Sequence, residues 1–271
     1  MIFGYADRFC IVGYSAKEQE NTKPTGILSF QWDAVSGDTV KLNGFVQPSV
    51  KGTAYNHGVD EEVTPGWYLT APKIQVRLPA GNYATRYYAD DMWDDDNSET
   101  VEGWGTADGV YDATTTLALG GGAWVSCAGE NCTFTTAGAV ASEETAVGGD
   151  STITMLCGGA FPVAFRLNDT DAVTWTLTPG TAYNHGENEE VTPNWEKSAP
   201  KIQVRLPAGN YATRYYADDM WDDDNSETVA GWGTADGVYD ATTTVEVGGG
   251  FWLNQPNGDK RIYVTVKNPV K

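Results

Sequence analysis

Residues 71–101 read APKIQVRLPAGNYATRYYADDMWDDDNSETV, and residues 199–229 repeat them without a change. The first part of this stretch decides the fold class. Ile74, Val76 and Leu78 alternate with Lys73, Gln75 and Arg77, the two-residue period that sets one face of a strand in a core and the other in water. Pro79-Ala80-Gly81-Asn82 supplies a turn. On the return, Tyr83, Thr85, Tyr87 and Ala89 alternate with Ala84, Arg86 and Tyr88, so the pair predicts an antiparallel hairpin. The following DDMWDDDNSE, residues 90–99, reads as an acidic loop too charged to pair as a central strand.

Outward from this core the identity continues and then fails. Residues 53–116 and 181–244 agree at 57 of 64 positions, while the flanks have diverged strongly. An offset of 128 still aligns GGGAW (120–124) with GGGFW (248–252), and KLNG (41–44) stands opposite RLND (166–169) with three residues fewer between it and its block. The N-terminal segment holds strand-like runs at 9–15, 26–32 and 38–45, and strand-like composition returns at 110–119 and 123–126. RIYVTVKN (261–268) aligns with TFTTAGAV (133–140), which itself resembles FCIVGYS (9–15), so one strand type recurs at the start, the join and the end. No segment sustains a helical period. These patterns predict an all-β chain of two tandem antiparallel β-sandwich domains, jelly-roll or Ig-like, over 1–130 and 131–271.

Among 271 residues the formal charge is −20, a field that repels nucleic acid and anionic membrane surfaces. No apolar run reaches the ~18 residues of a membrane span. The first residues, MIFGYADRFCIVGY, lack the layout of a secretion signal. Cys127 and Cys132 bracket AGEN at a spacing that closes a disulfide across a hairpin, leaving Cys10 and Cys157 to pair or to stay buried. The expected setting is therefore oxidising: extracellular or the cell surface. Asn131-Cys132-Thr133 and Asn168-Asp169-Thr170 match the glycosylation sequon.

Several motifs suggest chemistry. YADD at 88–91 and 216–219 spells a polymerase-like tetrapeptide, but an acidic, duplicated, β-rich chain lacks the basic template surface and third carboxylate that such an enzyme needs. Asp90, Asp91, Asp94, Asp95 and Asp96, with Asp218, Asp219, Asp222, Asp223 and Asp224, are the densest set of hard oxygen donors, suited to Ca²⁺ and equally to a solvated loop. His57 and His185 have no nucleophile beside them in sequence and read as structural. Trp93 and Trp221, set among aspartates, suit a glycan or a protein contact. Six of the seven differences between the copies fall at 59, 60, 66 and 68–70, where Tyr68-Leu69 faces Glu196-Lys197 in the second copy. That change predicts Tyr68 and Leu69 covered by the other domain or by a neighbouring molecule, and Glu196 and Lys197 exposed. The chain reads as a non-enzymatic structural subunit that polymerises with itself through terminal strands or repeat faces. The alternative is a tandem carbohydrate-binding module, with or without calcium.

Overall fold

The computed structural model describes residues 9–15, 25–29, 39–43, 46–57, 62–78, 82–118, 121–127, 132–139, 145–149, 154–158, 163–184, 190–206, 208, 210–256 and 262–267. The chain is all-β, built from antiparallel sheets, and among the described residues the only helical turns are short 3-10 turns at Trp67–Leu69 and Trp195–Lys197.

In chain order the first set of strands is β1 (Phe9–Ser15), β2 (Thr25–Ser29), β3 (Thr39–Lys41), β4 (Val46–Pro48), β5 (Tyr55–Asn56) and β6 (Glu62–Val63). It continues with β7 (Lys73–Arg77), β8 (Tyr83–Asp94), β9 (Glu99–Gly105), β10 (Thr116–Ala118), β11 (Gly122–Ser126) and β12 (Thr133–Ala139). The second set is β13 (Thr145–Gly149), β14 (Thr154–Gly158), β15 (Phe165–Arg166), β16 (Val173–Thr176), β17 (Tyr183–Asn184) and β18 (Glu190–Val191). It closes with β19 (Lys201–Arg205), β20 (Tyr211–Asp222), β21 (Glu227–Gly233), β22 (Thr244–Val245), β23 (Gly250–Asn254) and β24 (Ile262–Val266).

Sheet order runs β1-β12-β4, β2-β11-β7-β8-β9, β10-β3 and β5-β6 in the first set. The second set repeats it strand for strand, as β13-β24-β16, β14-β23-β19-β20-β21, β15-β22 and β17-β18. Strand β12 pairs along its length with β1 and also with β4, and β24 fills the same place between β13 and β16. β12 and β24 are thus equivalent, whereas β1 holds the place of β13, so the run at 9–15 is the pairing partner of the linking strand and not a third instance of it. Residues 9–15 and 133–139 lie side by side in one sheet.

One core is shared by the three- and five-stranded sheets of each set. In the first, Val46, Ile74, Val76, Trp104, Val125 and Phe134 are all buried within one cluster. In the second, Ile202, Val204, Trp232, Phe251, Leu253 and Ile262 form its counterpart. Each such side chain contributes roughly 1.5–3 kcal/mol by leaving water. A smaller cluster of Ala54, Trp67, Ala71, Ala89 and Met92, matched by Ala182, Trp195, Ala199, Ala217 and Met220, packs beneath the 3-10 turn of each copy.

Two expectations change. The acidic run is not a loop: β8 extends through Asp94 and β9 starts at Glu99, leaving only a tight turn between them. A β-bulge between Ala89 and Met92 makes this workable, because the extra residue resets which side chains face inward. The expected long strand at 110–119 shortens to β10, since Tyr111 and Val110 only bridge to neighbours and Asp112 turns the chain. Close packing there requires glycine at Gly105, where a Cβ would lie 2.2 Å from the Val110 carbonyl oxygen.

Candidate functional site

The bulge explains the acidic residues one by one. Asp90 and Asp218 stay on the exposed side, whereas Asp91 and Asp219 turn inward and are buried. Asp91 accepts hydrogen bonds from the backbone N–H groups of Ala54 at 2.6 Å and Tyr55 at 2.9 Å, and Nε2 of His57 lies 3.1 Å away. Asp219 repeats the first two contacts with Ala182 at 2.6 Å and Tyr183 at 2.9 Å. A buried carboxylate that accepts several N–H groups is a structural clamp, because charge-assisted bonds to backbone donors satisfy both partners. The clamp fastens the segment entering β5, and its second-copy equivalent fastens the segment entering β17. His185 lies outside the described residues.

At the hairpin tip, Asp94 accepts from Asp96 N at 2.9 Å and from Asn97 Nδ2 at 2.8 Å, and Ser98 takes a positive φ of 54°. The Asn97 bond holds the Asp94 carboxyl below the usual carboxylate range. Asp222 and Asn225 do the same in the second copy, with Ser226 at 56°. Asp95 and Asp96, like Asp223 and Asp224, are exposed. Among the described residues no group of three or more His, Cys, Asp or Glu side chains converges as a metal site would.

Trp93 and Trp221 are half-buried, not freely displayed. The Trp93 N–H donates to Gly109 O and its carbonyl accepts from Tyr111 N, both at 2.8 Å, so the strand is pinned on its outer edge. Tyr55 abuts Gly109, where a Cβ would lie 3.1 Å from the Tyr55 ring, and burial with the charges of Asp91 and Asp95 raises the Tyr55 phenol. Half-buried Tyr55, Trp93 and Tyr111 therefore surround the acidic tip, and Tyr183, Trp221 and Tyr239 repeat the grouping.

A second constellation escaped sequence reasoning. Asp112 is buried and takes hydrogen bonds from Arg86 Nε, from Thr114 N at 2.7 Å and Oγ1 at 2.6 Å, and from Thr115 N at 3.0 Å and Oγ1. Burial pushes its carboxyl up, but the Thr114, Thr115 and Arg86 bonds outweigh burial and hold it well below the usual range. Asp240 with Thr242, Thr243 and Arg214 is equivalent. Beside it, Asn43 Nδ2 donates to the carbonyls of Trp104 at 3.0 Å and Asp112 at 2.6 Å, while its Oδ1 accepts from Trp104 N at 2.6 Å. Asn168 makes the same three bonds to Trp232 and Asp240. This commits the amide of one sequon; Asn131 of the other lies outside the described residues. Two signals were present: Arg86 on the strand face that holds Ala84 and Tyr88, and DATT, an Asp followed at two and three positions by hydroxyls.

Tyr68 is half-buried and packs on Tyr87, ring centroids 5.4 Å apart, and edge-on to Trp67 at 6.5 Å. Leu69 is 63% exposed, so the second strand set does not cover it, and of the two expected covers only a neighbouring molecule is left. The reason lies in the turn, whose inward residue is Trp67 at 5% exposure, with its Nε1 donating to Ala107 O at 2.9 Å, which leaves Leu69 pointing outward. Lys197 is exposed and Glu196 is half-buried. The lone difference, Glu102 against Ala230, has a local cause. Glu102 accepts from Lys51 Nζ at 2.9 Å and from Tyr88 Oη at 2.9 Å, and the position equivalent to Lys51 is Pro179.

Cys127 and Cys132 form a disulfide that is buried in the first core. Cys157 is a free, buried cysteine in β14, so of the two outcomes expected for it, pairing or burial, the second is found; the Cys10 side chain lies outside the described residues. Burial pushes the Cys157 thiol up. No helix of the described residues is long and apolar enough to cross a membrane. Comparison with known protein families, curated proteins and solved structures finds no match.

Proposed function

We propose that the chain is a non-enzymatic structural subunit of an extracellular assembly, organised as two tandem β-sandwich domains and contacting other copies through the Trp67–Leu69 turn. One observation carries this reading: Leu69 is 63% exposed beside half-buried Tyr68, at the turn where the second copy has Glu196 and Lys197. The apolar residue displayed on one copy and replaced by a charged one on the other is a surface feature present once per chain. The buried carboxylates Asp91, Asp112, Asp219 and Asp240 are engaged in holding backbone and turns, which favours architecture over catalysis. Contact through repeat faces is preferred to donation of a terminal strand, because β1 already pairs along its length with β12.

The test borrows the chain's own variation. Tyr68→Glu with Leu69→Lys installs residues that the second copy carries on the same frame, so folding is expected to survive. Sedimentation and electron microscopy should then show loss of the higher-order species formed by the unaltered chain. Polymers that persist in the variant would sink the proposal.

A second reading, a tandem glycan-binding module, is favoured by the half-buried rings of Tyr55, Trp93 and Tyr111 beside Asp95 and by their exact repetition in the second copy. Rings flanked by carboxylates and amides suit sugar faces and hydroxyls. Trp93→Ala with Trp221→Ala should abolish glycan-array binding, and an unaltered chain that binds no glycan removes this reading. Calcium belongs with it as a proposal, through Asp90, Asp95 and Asp96 and their counterparts; a calcium titration followed by calorimetry checks it.

A further inference from the structure

The outer faces of the two five-stranded sheets meet each other. Along β7, Ile74 and Val76 enter the core, so Gln75 and Arg77 point the other way, in register with Trp124 on β11 and Tyr83 on β8. In the second set Gln203 is in register with Trp252, and Arg205 with Tyr211. Across the gap, Tyr83 stacks on Trp252 with centroids 6.3 Å apart, and Trp124 lies 6.0 Å from Tyr211. Tyr211 is the second-copy equivalent of Tyr83, and Trp252 that of Trp124. Exchanging the copies therefore exchanges the partners, although the first pair is stacked, with 13° between planes, and the second tilted, with 56°. Tyr83 and Tyr211 are even exposed to the same extent, 37%.

Leu156 supports the same contact. Its neighbours Met155 and Cys157 enter the second core, so Leu156, paired with Trp252, faces outward, yet it is only 5% exposed. The first set approaches the backbone here: Gly121 bridges to Cys157, and a Cβ on Gly122 would lie 3.1 Å from Cys157 N and 3.2 Å from the Leu156 carbonyl carbon. That approach leaves little room for a side chain at position 122.

A contact in which residue i of one unit meets j of the other, while j meets i, is the signature of a twofold, self-complementary interface. We infer that the outer face of the five-stranded sheet is a docking surface whose fitting partner is a second copy of the same face, and that within this chain the two copies occupy each other. The chain is a dimer of repeats closed by its own connection. Ring–ring contacts give such a face both apolar area and orientation. This inference stands apart from the proposal for the Trp67–Leu69 turn, which uses a different surface.

The test disables one face and asks whether the other finds a substitute. Tyr211→Ala with Trp252→Ala removes both second-copy rings and leaves Tyr83 and Trp124 intact; neither residue belongs to a buried core. The expected result is a concentration-dependent dimer in sedimentation velocity, formed by Tyr83–Trp124 pairs between chains. Tyr83→Ala with Trp124→Ala should dimerise likewise through Tyr211 and Trp252. The quadruple variant should be monomeric, with a larger radius of gyration in solution scattering than the unaltered chain. Double variants that stay monomeric, or a quadruple variant that scatters like the unaltered chain, would overturn the inference. If the variants lose their β circular dichroism, ring-proton contacts between Tyr83 and Trp252, and between Trp124 and Tyr211, decide the matter by NMR in the unaltered chain; absence of either set overturns it.

Discussion

At the scale of single residues, the aspartates divide by what they hold. Asp112 and Asp240 are each buried under an arginine and two threonines, and the bonds they accept hold both carboxyls well below the usual range. A depressed folded value means that these groups bind protons less readily folded than unfolded. Their contribution is present above the unfolded value of about 3.9 and is lost as pH falls through the folded one. Asp112→Asn with Asp240→Asn should therefore lower stability at neutral pH, by about 2 kcal/mol or more per site for bonds to a charged group. The same variant should flatten the fall in stability below about pH 4. Urea melts at pH 7 and pH 3 check both effects, and an unchanged acid limb would assign that limb to other carboxylates. The DATT letters were visible in sequence, but the arginine that completes the hub stands 26 positions upstream, and only strand pairing brings it there.

At the scale of elements, the two strand sets keep one frame and fill it differently. Val46 on β4 is opposite Thr136, and Trp175 on β16 is opposite Val264 at the equivalent place, while Phe134 on β12 becomes Ile262 on β24. Phe134 stacks on Trp104 at 6.4 Å in the first core, and Trp175 meets Trp232 edge-on at 5.1 Å in the second. Bulk has moved from the middle strand to its neighbour. Trp175→Val should cost about 3 kcal/mol, since it opens a cavity and strands the Leu167 carbonyl that Trp175 Nε1 reaches at 2.6 Å. Ile262→Phe alone should cost about 1–3 kcal/mol by overpacking. Together they should cost less than their sum, because the added ring enters the space that the indole leaves; urea denaturation of the three variants closes that cycle. This exchange was illegible in sequence, since each residue is apolar and ordinary alone. The hairpin β7–β8 was legible because its faces alternate cleanly, and KLNG opposite RLND marked a true equivalence through Asn43 and Asn168. The acidic run misled: its charge density reads as solvation, while the bulge turns Asp91 inward and the Asn97 bond ties Asp94 into the turn.

At the scale of the whole molecule, two separate cores joined by a ring-paired face predict that damage to one need not spread to the other. The Cys127–Cys132 disulfide provides the asymmetry, because position 127 corresponds to Gln255, whose Oε1 instead accepts from Thr178 N at 3.2 Å. Closing so short a loop stabilises by about 2 kcal/mol on the chain-entropy account. Reduction should lower the protection of first-set amides by that order and leave the second set nearer its starting value. Hydrogen exchange with mass spectrometry reads this, provided that the peptides come from β11 and β12 against β23 and β24. Fragments from 71–101 and 199–229 have identical masses and cannot be told apart. Equal loss in both sets would mean that the face between them couples the cores into one cooperative unit, and the Tyr211→Ala, Trp252→Ala chain should then restore the difference.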